Sequence, residues 1–112
     1  MSDCAFCRIV RGELPANIVR REAGMLAFRD LNPQAPTHIL IIPADHVASL
    51  DVMQDAGLAG RLLLFARDLA RSEGLAERGY RVVLNTNADG GQTVFHVHLH
   101  LLGGRAMKWP PG

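Results

Sequence analysis

Gly91-Gln92-Thr93-Val94-Phe95-His96-Val97-His98-Leu99-His100-Leu101-Leu102 sets three histidines in strict alternation with apolar residues. Alternation of period two is the pattern of a strand with one covered face. It predicts a strand over Val94–Leu102, with His96, His98 and His100 on one surface and Val97, Leu99 and Leu101 on the other. At a rise of roughly 3.3 Å per residue the outer pair is about 13 Å apart, so one metal ion could hold two neighbours but hardly all three. The three histidines therefore have different jobs. Metal binding by two of them, a proton relay, and a nucleophile flanked by helpers all remain open. Neutral imidazole can attack phosphorus through one nitrogen while the other donates a hydrogen bond that fixes the tautomer. A backbone carbonyl or a neighbouring side chain must supply that acceptor.

Immediately upstream, Asp89-Gly90-Gly91-Gln92-Thr93 offers backbone amides, a side-chain amide and a hydroxyl suited to phosphate oxygens; a plain hairpin turn is the alternative. Tyr80–Leu84 reads as the strand before this loop. Between about Gln54 and Glu73, apolar Leu58, Leu62, Phe65 and Leu69 recur at helical steps with Arg61, Asp68 and Arg71 between them, which predicts the main helix, ended by Gly74. The β-branched run Ile39-Leu40-Ile41-Ile42-Pro43 predicts a central strand covered on both faces. Ile18-Val19 and Met25-Leu26-Ala27-Phe28 predict a hairpin around Glu22-Ala23-Gly24, closed off by Asn32-Pro33. Cys4 to Arg11, with Phe6, Ile9 and Val10 at helical spacing before Gly12, predicts a helix of about two turns. The order α-β-β-β-α-β-β implies a single α+β domain over residues 1–112. Its sheet is five-stranded and mostly antiparallel, with one short and one long helix.

Twelve basic residues balance eleven acidic ones, net charge +1, with no basic run, so the electrostatic footprint of a nucleic-acid binder is missing. No apolar stretch is long enough to cross a bilayer and no signal peptide precedes Cys4, which predicts no membrane partner and a cytoplasmic location. A single domain of this length hides only about two-thirds of its unfolded surface, so a second stabilising device is expected. Cys4-Ala5-Phe6-Cys7 is the candidate. A redox C-x-x-C usually follows a strand in a βαβ setting, whereas this pair precedes every strand. Zinc needs two further ligands; His46, just after the central strand, and His96, at the loop end of the histidine run, complete a Cys2His2 set. A pair of ordinary thiols is the alternative. Zinc held by Cys4, Cys7, His46 and His96 would be structural, with no coordination position left for water.

The segment Gly91 to Leu102 resembles the signature of the histidine triad (HIT) superfamily of nucleotide-binding proteins. Leu31-Asn32-Pro33-Gln34-Ala35-Pro36-Thr37-His38 and Gly103-Gly104-Arg105-Ala106-Met107-Lys108-Trp109-Pro110-Pro111-Gly112 extend the resemblance toward its Hint branch, over nearly the whole chain. The resemblance implies a HIT-like homodimer with the two sheets joined, hydrolysing purine nucleoside phosphoramidates of the AMP type and related adenylates. It makes His98 the nucleophile that forms a covalent nucleotidyl intermediate. His100 and His38 would assist it, with Asn85, Gln92 and Thr93 around the phosphate, and Asp30 on the ribose hydroxyls. Phe6, Ile9, Leu14, Phe28 and Leu31 would wall the base pocket, and Trp109 would reach the partner subunit's site. Thr93 stands where the family commonly has serine. The bacterial members it resembles pair an N-terminal C-x-x-C with two histidines around zinc, which supports the same four ligands. A nucleotide-binding regulatory protein with little turnover and a dinucleoside polyphosphate hydrolase are the competing functions.

Overall fold

The apolar run at Ile39 lies at the centre of the sheet, where β-branched side chains pack well on both faces of a pleated surface. A computed structural model describes residues 4–112; residues 1–3 of the single domain expected over the whole chain lie outside the described residues. Among the described residues the order is α1 (Ala5–Val10), β1 (Ile18–Glu22), β2 (Met25–Arg29), β3 (Thr37–Pro43), a 3-10 turn (Leu50–Val52), α2 (Ala56–Ser72), β4 (Tyr80–Val83) and β5 (Leu99–Gly103). The five strands form one sheet in the order β1-β2-β3-β5-β4, and every neighbouring pair is antiparallel. The α+β class, the hairpin, the central strand and both helices agree with the sequence pattern.

Side-chain alternation divides the core in two. On one face, Ile39, Ile41, Leu99, Leu101 and Ala27 pack against Leu62, Phe65, Ala66 and Leu69 of α2. These α2 residues recur at three- and four-residue steps, so they form the stripe that the helical period predicts. Burying each of the larger ones contributes roughly 1.5–3 kcal/mol. Asp55 caps α2 by accepting from the Leu58 N–H at 3.0 Å. At the other end Arg29 of β2 forms a bidentate ion pair with Glu73 at 3.0 and 3.1 Å. On the opposite face, Leu26, Phe28, Leu40 and Ile42 pack against Phe6 of the short α1. Register places His38 opposite Leu102 and Leu40 opposite His100, and directly opposed residues share a face. His38 and His100 therefore project on the α1 side.

The last strand differs from its prediction. It begins at Leu99, so His96 and His98 precede it and the three histidines do not share one regular strand face. Continued by one step beyond Ile42, the β3–β5 register would set Pro43 opposite Val97. Pro43 has no N–H to offer, and its carbonyl accepts from the His96 ring instead. The ladder stops there. Residues 93–98 run beside the segment after β3, and the Val97 N–H donates to the Val47 carbonyl at 2.7 Å. The pattern of period two is real, but only its part from Leu99 onward, His100 included, is paired as a strand. No helix among the described residues is long and apolar enough to cross a membrane.

Candidate active site and metal centre

Two clusters grow from the histidine run. The first gathers Cys4 at the start of α1, Cys7 within it, His46 after β3, and His96, whose ligand atoms all lie within 4.8 Å of one another. His96 Nδ1 stands 3.4 Å from Cys4 Sγ and 3.5 Å from Cys7 Sγ, and His46 Nδ1 stands 3.4 Å from Cys7 Sγ. Ligand-to-ligand edges of about 3.5 Å are what a tetrahedral zinc with sulfur and nitrogen donors requires. The Nε2–H of His96 donates to the Pro43 carbonyl at 2.8 Å, which turns the Nδ1 lone pair toward the sulfurs. Burial pushes the Cys7 thiol up, and neighbouring Cys4 adds to the rise. Two crowded sulfurs of this kind ionise comfortably only beside a cation. Burial holds His96 below its ordinary range, so its ring is neutral, as a ligand must be. The donor set, spacing and tautomer thus fit a four-coordinate metal.

The second cluster joins His38, His98, His100 and Asp30. His98 donates its Nδ1–H to the carbonyl of His96 at 2.8 Å, so its Nε2 carries the free lone pair. That carbonyl is the acceptor the sequence required. The His98 ring lies 5.0 Å from His100, centroid to centroid, and 5.1 Å edge-on to Phe6. His38 accepts the Gln34 N–H on Nδ1 at 3.0 Å. Its proton is therefore on Nε2, which lies 2.9 Å from His100 Nδ1 and 3.4 Å from Asp30 Oδ2. His100 accepts on Nδ1 and so presents an N–H on Nε2. Burial lowers His38, opposed by Asp30. Burial, with His98 and His38 beside it, pushes His100 down to about 4. Both rings are neutral near pH 7, and the relay runs in one direction.

Beside these histidines lies a cavity of about 450 Å³ lined by Phe6, Ile9, Leu14, Phe28, Asp30 and Leu31, together with Ala5, Pro15, Ala16, Arg29 and Leu40. All six residues expected around the base and ribose are in this one wall. Phe6 and Phe28 meet edge to face at 5.5 Å, while Leu31 is 95% exposed and forms the rim. Apolar walls with one carboxylate at the edge suit a flat base joined to a hydroxylated sugar.

The residues expected around the phosphate divide. Thr93 is exposed on the chain leading into His96, and Asn85 is half-buried two residues after Val83, the register partner of His100. Gln92 is buried and its amide is engaged by the protein: Nε2 donates to the Ala48 and Val94 carbonyls at 2.8 and 3.1 Å, and Oε1 accepts the Asn87 N–H at 2.9 Å. Gln92 thus holds the loop in shape. Gly90 permits that shape, because a Cβ there would stand 2.3 Å from the Thr86 carbonyl oxygen. The loop is a folded knot between β4 and β5, not the plain hairpin turn. Trp109 is 82% exposed and apart from the cavity wall.

Sequence reading did not single out Gln34, Pro43 or Ala48, which orient the site through main-chain atoms. No side-chain pattern announces such a role, since every residue carries a carbonyl and nearly every one an N–H.

The HIT domain family profile matches residues 11–107. The chain is 49% identical to the purine nucleoside phosphoramidase of Escherichia coli, over 91% of this chain and 87% of that protein. It is equally 49% identical to a 14 kDa zinc-binding protein of Zea mays, over 99% of this chain and 89% of that one. A HIT family hydrolase from Legionella pneumophila superposes with a TM-score of 0.96 at 54% identity, covering 98% of this chain and all of that one.

Proposed function

The chain belongs to the HIT domain family, and from that premise we propose that it hydrolyses purine nucleoside phosphoramidates through a covalent intermediate on His98. One observation carries this reading: His98 is locked by the His96 carbonyl with its Nε2 lone pair free, beside the Nε2–H of His100 and an apolar cavity. Nε2 attacks the α-phosphorus, the phosphorus–nitrogen bond to the leaving amine breaks, and the amine departs with a proton taken up from solvent, which the attacking water returns in the second step. The ring becomes an imidazolium whose Nδ1–H bond to the His96 carbonyl strengthens as charge develops. Water then attacks phosphorus, the bond to His98 breaks, and the nucleoside monophosphate leaves. His100 supplies an N–H to a phosphoryl oxygen, held in that tautomer by His38. Asp30 takes the ribose hydroxyls, and Thr93, Asn85 and the Gln92 loop border the phosphate. The name of the Escherichia coli relative supports the phosphoramidate as substrate.

Cys4, Cys7, His46 and His96 would hold zinc as a closed structural site, a reading supported by their geometry and by the name of the maize relative. Held there, zinc would fasten α1 to the segments that carry His46 and His96; α1 carries Phe6, which touches His96, His98 and Phe28.

The active unit is a homodimer. β4 is an edge strand, and beside it Leu50, Met53, Leu63, Val82 and Leu84 line an apolar groove of about 330 Å³. Leu63 and Leu64 of α2 are exposed around it. An unpaired edge flanked by apolar side chains is self-complementary about a two-fold axis. Trp109 would then lie against the partner's site.

Single-turnover mass spectrometry with an adenosine phosphoramidate tests the chemistry. A nucleotide mass on the peptide containing His98, absent in His98→Ala, is expected; wild-type turnover by His98→Ala would sink the assignment.

A further inference from the structure

The C-terminal segment is bolted to the loop between β2 and β3. Arg105 donates from Nε at 3.2 Å and from a terminal nitrogen at 2.9 Å to one acceptor, the Gln34 carbonyl, while its other terminal nitrogen donates to the Ala106 carbonyl at 3.0 Å. Gly104 makes the approach possible: its φ is +92°, and a Cβ there would stand 2.8 Å from Pro36 Cβ. Seven arginines of the chain, Arg8, Arg11, Arg20, Arg29, Arg61, Arg67 and Arg71, lie within 4.0 Å of a carboxylate. Arg105 instead gives every nitrogen to main-chain oxygen.

The residue that Arg105 grips is the one whose N–H donates to His38 Nδ1 at 3.0 Å. His38 is 5% exposed, so water does not readily replace that donor. While the Gln34 N–H is present, neutral His38 must carry its proton on Nε2 and donate it to His100 Nδ1 at 2.9 Å. If Gln34 swings away, the pair can reverse. His38 Nε2 then accepts from His100 Nδ1–H, and His100 turns a bare Nε2 lone pair toward the phosphoryl oxygens it should bind.

We propose that Arg105 is a positioning residue that, by clamping the Gln34 carbonyl, holds His38 in the Nε2–H tautomer and so sets the direction of the His38–His100 relay. Its effect on turnover rests on the phosphoramidase reading; its effect on the tautomer does not.

The test is long-range proton–nitrogen correlation spectroscopy on protein carrying nitrogen-15 histidine, with steady-state phosphoramidate kinetics on the same samples. Wild type should show His38 protonated on Nε2 alone. Arg105→Gln should populate the second His38 tautomer and lower kcat about tenfold with KM changed less than about twofold. Arg105→Lys, which keeps one charged donor, should fall between the two and serves where the glutamine variant folds poorly. Arg78→Gln removes a neighbouring charge that lines the same surface as Arg105 and should match wild type in both measurements. An unchanged His38 tautomer in Arg105→Gln and Arg105→Lys overturns the proposal, and so does an equal tautomer shift in Arg78→Gln. A tautomer shift in a protein whose wild type turns over no phosphoramidate removes the proposed activity and leaves the positioning role standing.

Discussion

His96 and His98 are two residues apart, similarly buried, and wired in opposite senses. His96 donates from Nε2 to the Pro43 carbonyl and turns Nδ1 to the sulfurs, whereas His98 donates from Nδ1 to the His96 carbonyl and leaves Nε2 free. Each ring spends one nitrogen on a main-chain oxygen, and which nitrogen it spends assigns its chemistry. Four potential metal ligands face one another in the first cluster, whereas His98 in the second is left with a free lone pair on Nε2. Phe6 stands between them, edge-on to both rings. The two clusters are thus chemically separate and mechanically joined.

That division can be broken from either side. His98→Ala should lower kcat for an adenosine phosphoramidate by about a thousandfold or more, because it removes the proposed nucleophile. Its melting temperature should stay within about 3 °C of wild type. Cys7→Ser, or stripping the metal with a chelator, should do the reverse. Melting should fall by roughly 10–20 °C, and turnover below the transition should fall only as Phe6 and α1 loosen. Calorimetry and kinetics on both variants check this crossing pattern. Equal losses of stability and turnover in both would merge the two clusters into one.

Acid sharpens the comparison. His38 and His100 resist protonation in the fold, His100 down to about 4, whereas the unfolded rings titrate near their ordinary 6.5. As pH falls below 6.5 the unfolded state binds protons first, so this contribution to stability is intact above 6.5 and is lost progressively toward 4. Denaturant titrations of metal-loaded protein should show that decline, and His100→Gln should flatten it.

The smallest effect belongs to Thr93. It is exposed at the entry to the histidine run, so Thr93→Ser, which removes one methyl group, should change kcat/KM by less than about fivefold. The change should be larger for bulky leaving amines than for ammonia and should leave AMP affinity unaltered. A panel of phosphoramidates read by coupled assay resolves the split.

Much of the molecule is legible in the residues. The spacing of Leu58, Leu62, Phe65 and Leu69 marks α2, and the Ile39 run marks the central strand, because burial repeats with the period of the backbone. Cys4, Cys7, His46 and His96 follow from metal stoichiometry, and the structure brings them together. Phe6, Ile9, Leu14, Phe28, Asp30 and Leu31, named together from the resemblance, line one cavity. The extent of the last strand is a different matter. Alternation from Val94 onward reads as one strand, yet pairing begins at Leu99, since Pro43 offers the ladder no donor and gives its carbonyl to a ring.

The amino-acid sequence by itself determined which groups this protein can use: two thiols, five imidazoles, a carboxylate before the central strand, and the apolar periodicities that make one antiparallel sheet with two helices. Which nitrogen of His38, His96 and His98 carries the proton follows only from the fold and not from the identity of those residues. That choice depends on main-chain donors and acceptors at Gln34, Pro43 and His96, and on the Arg105 contact across the chain. Side-chain identity specifies chemistry, whereas a peptide group is the same at almost every position and acquires a role only through where the fold puts it.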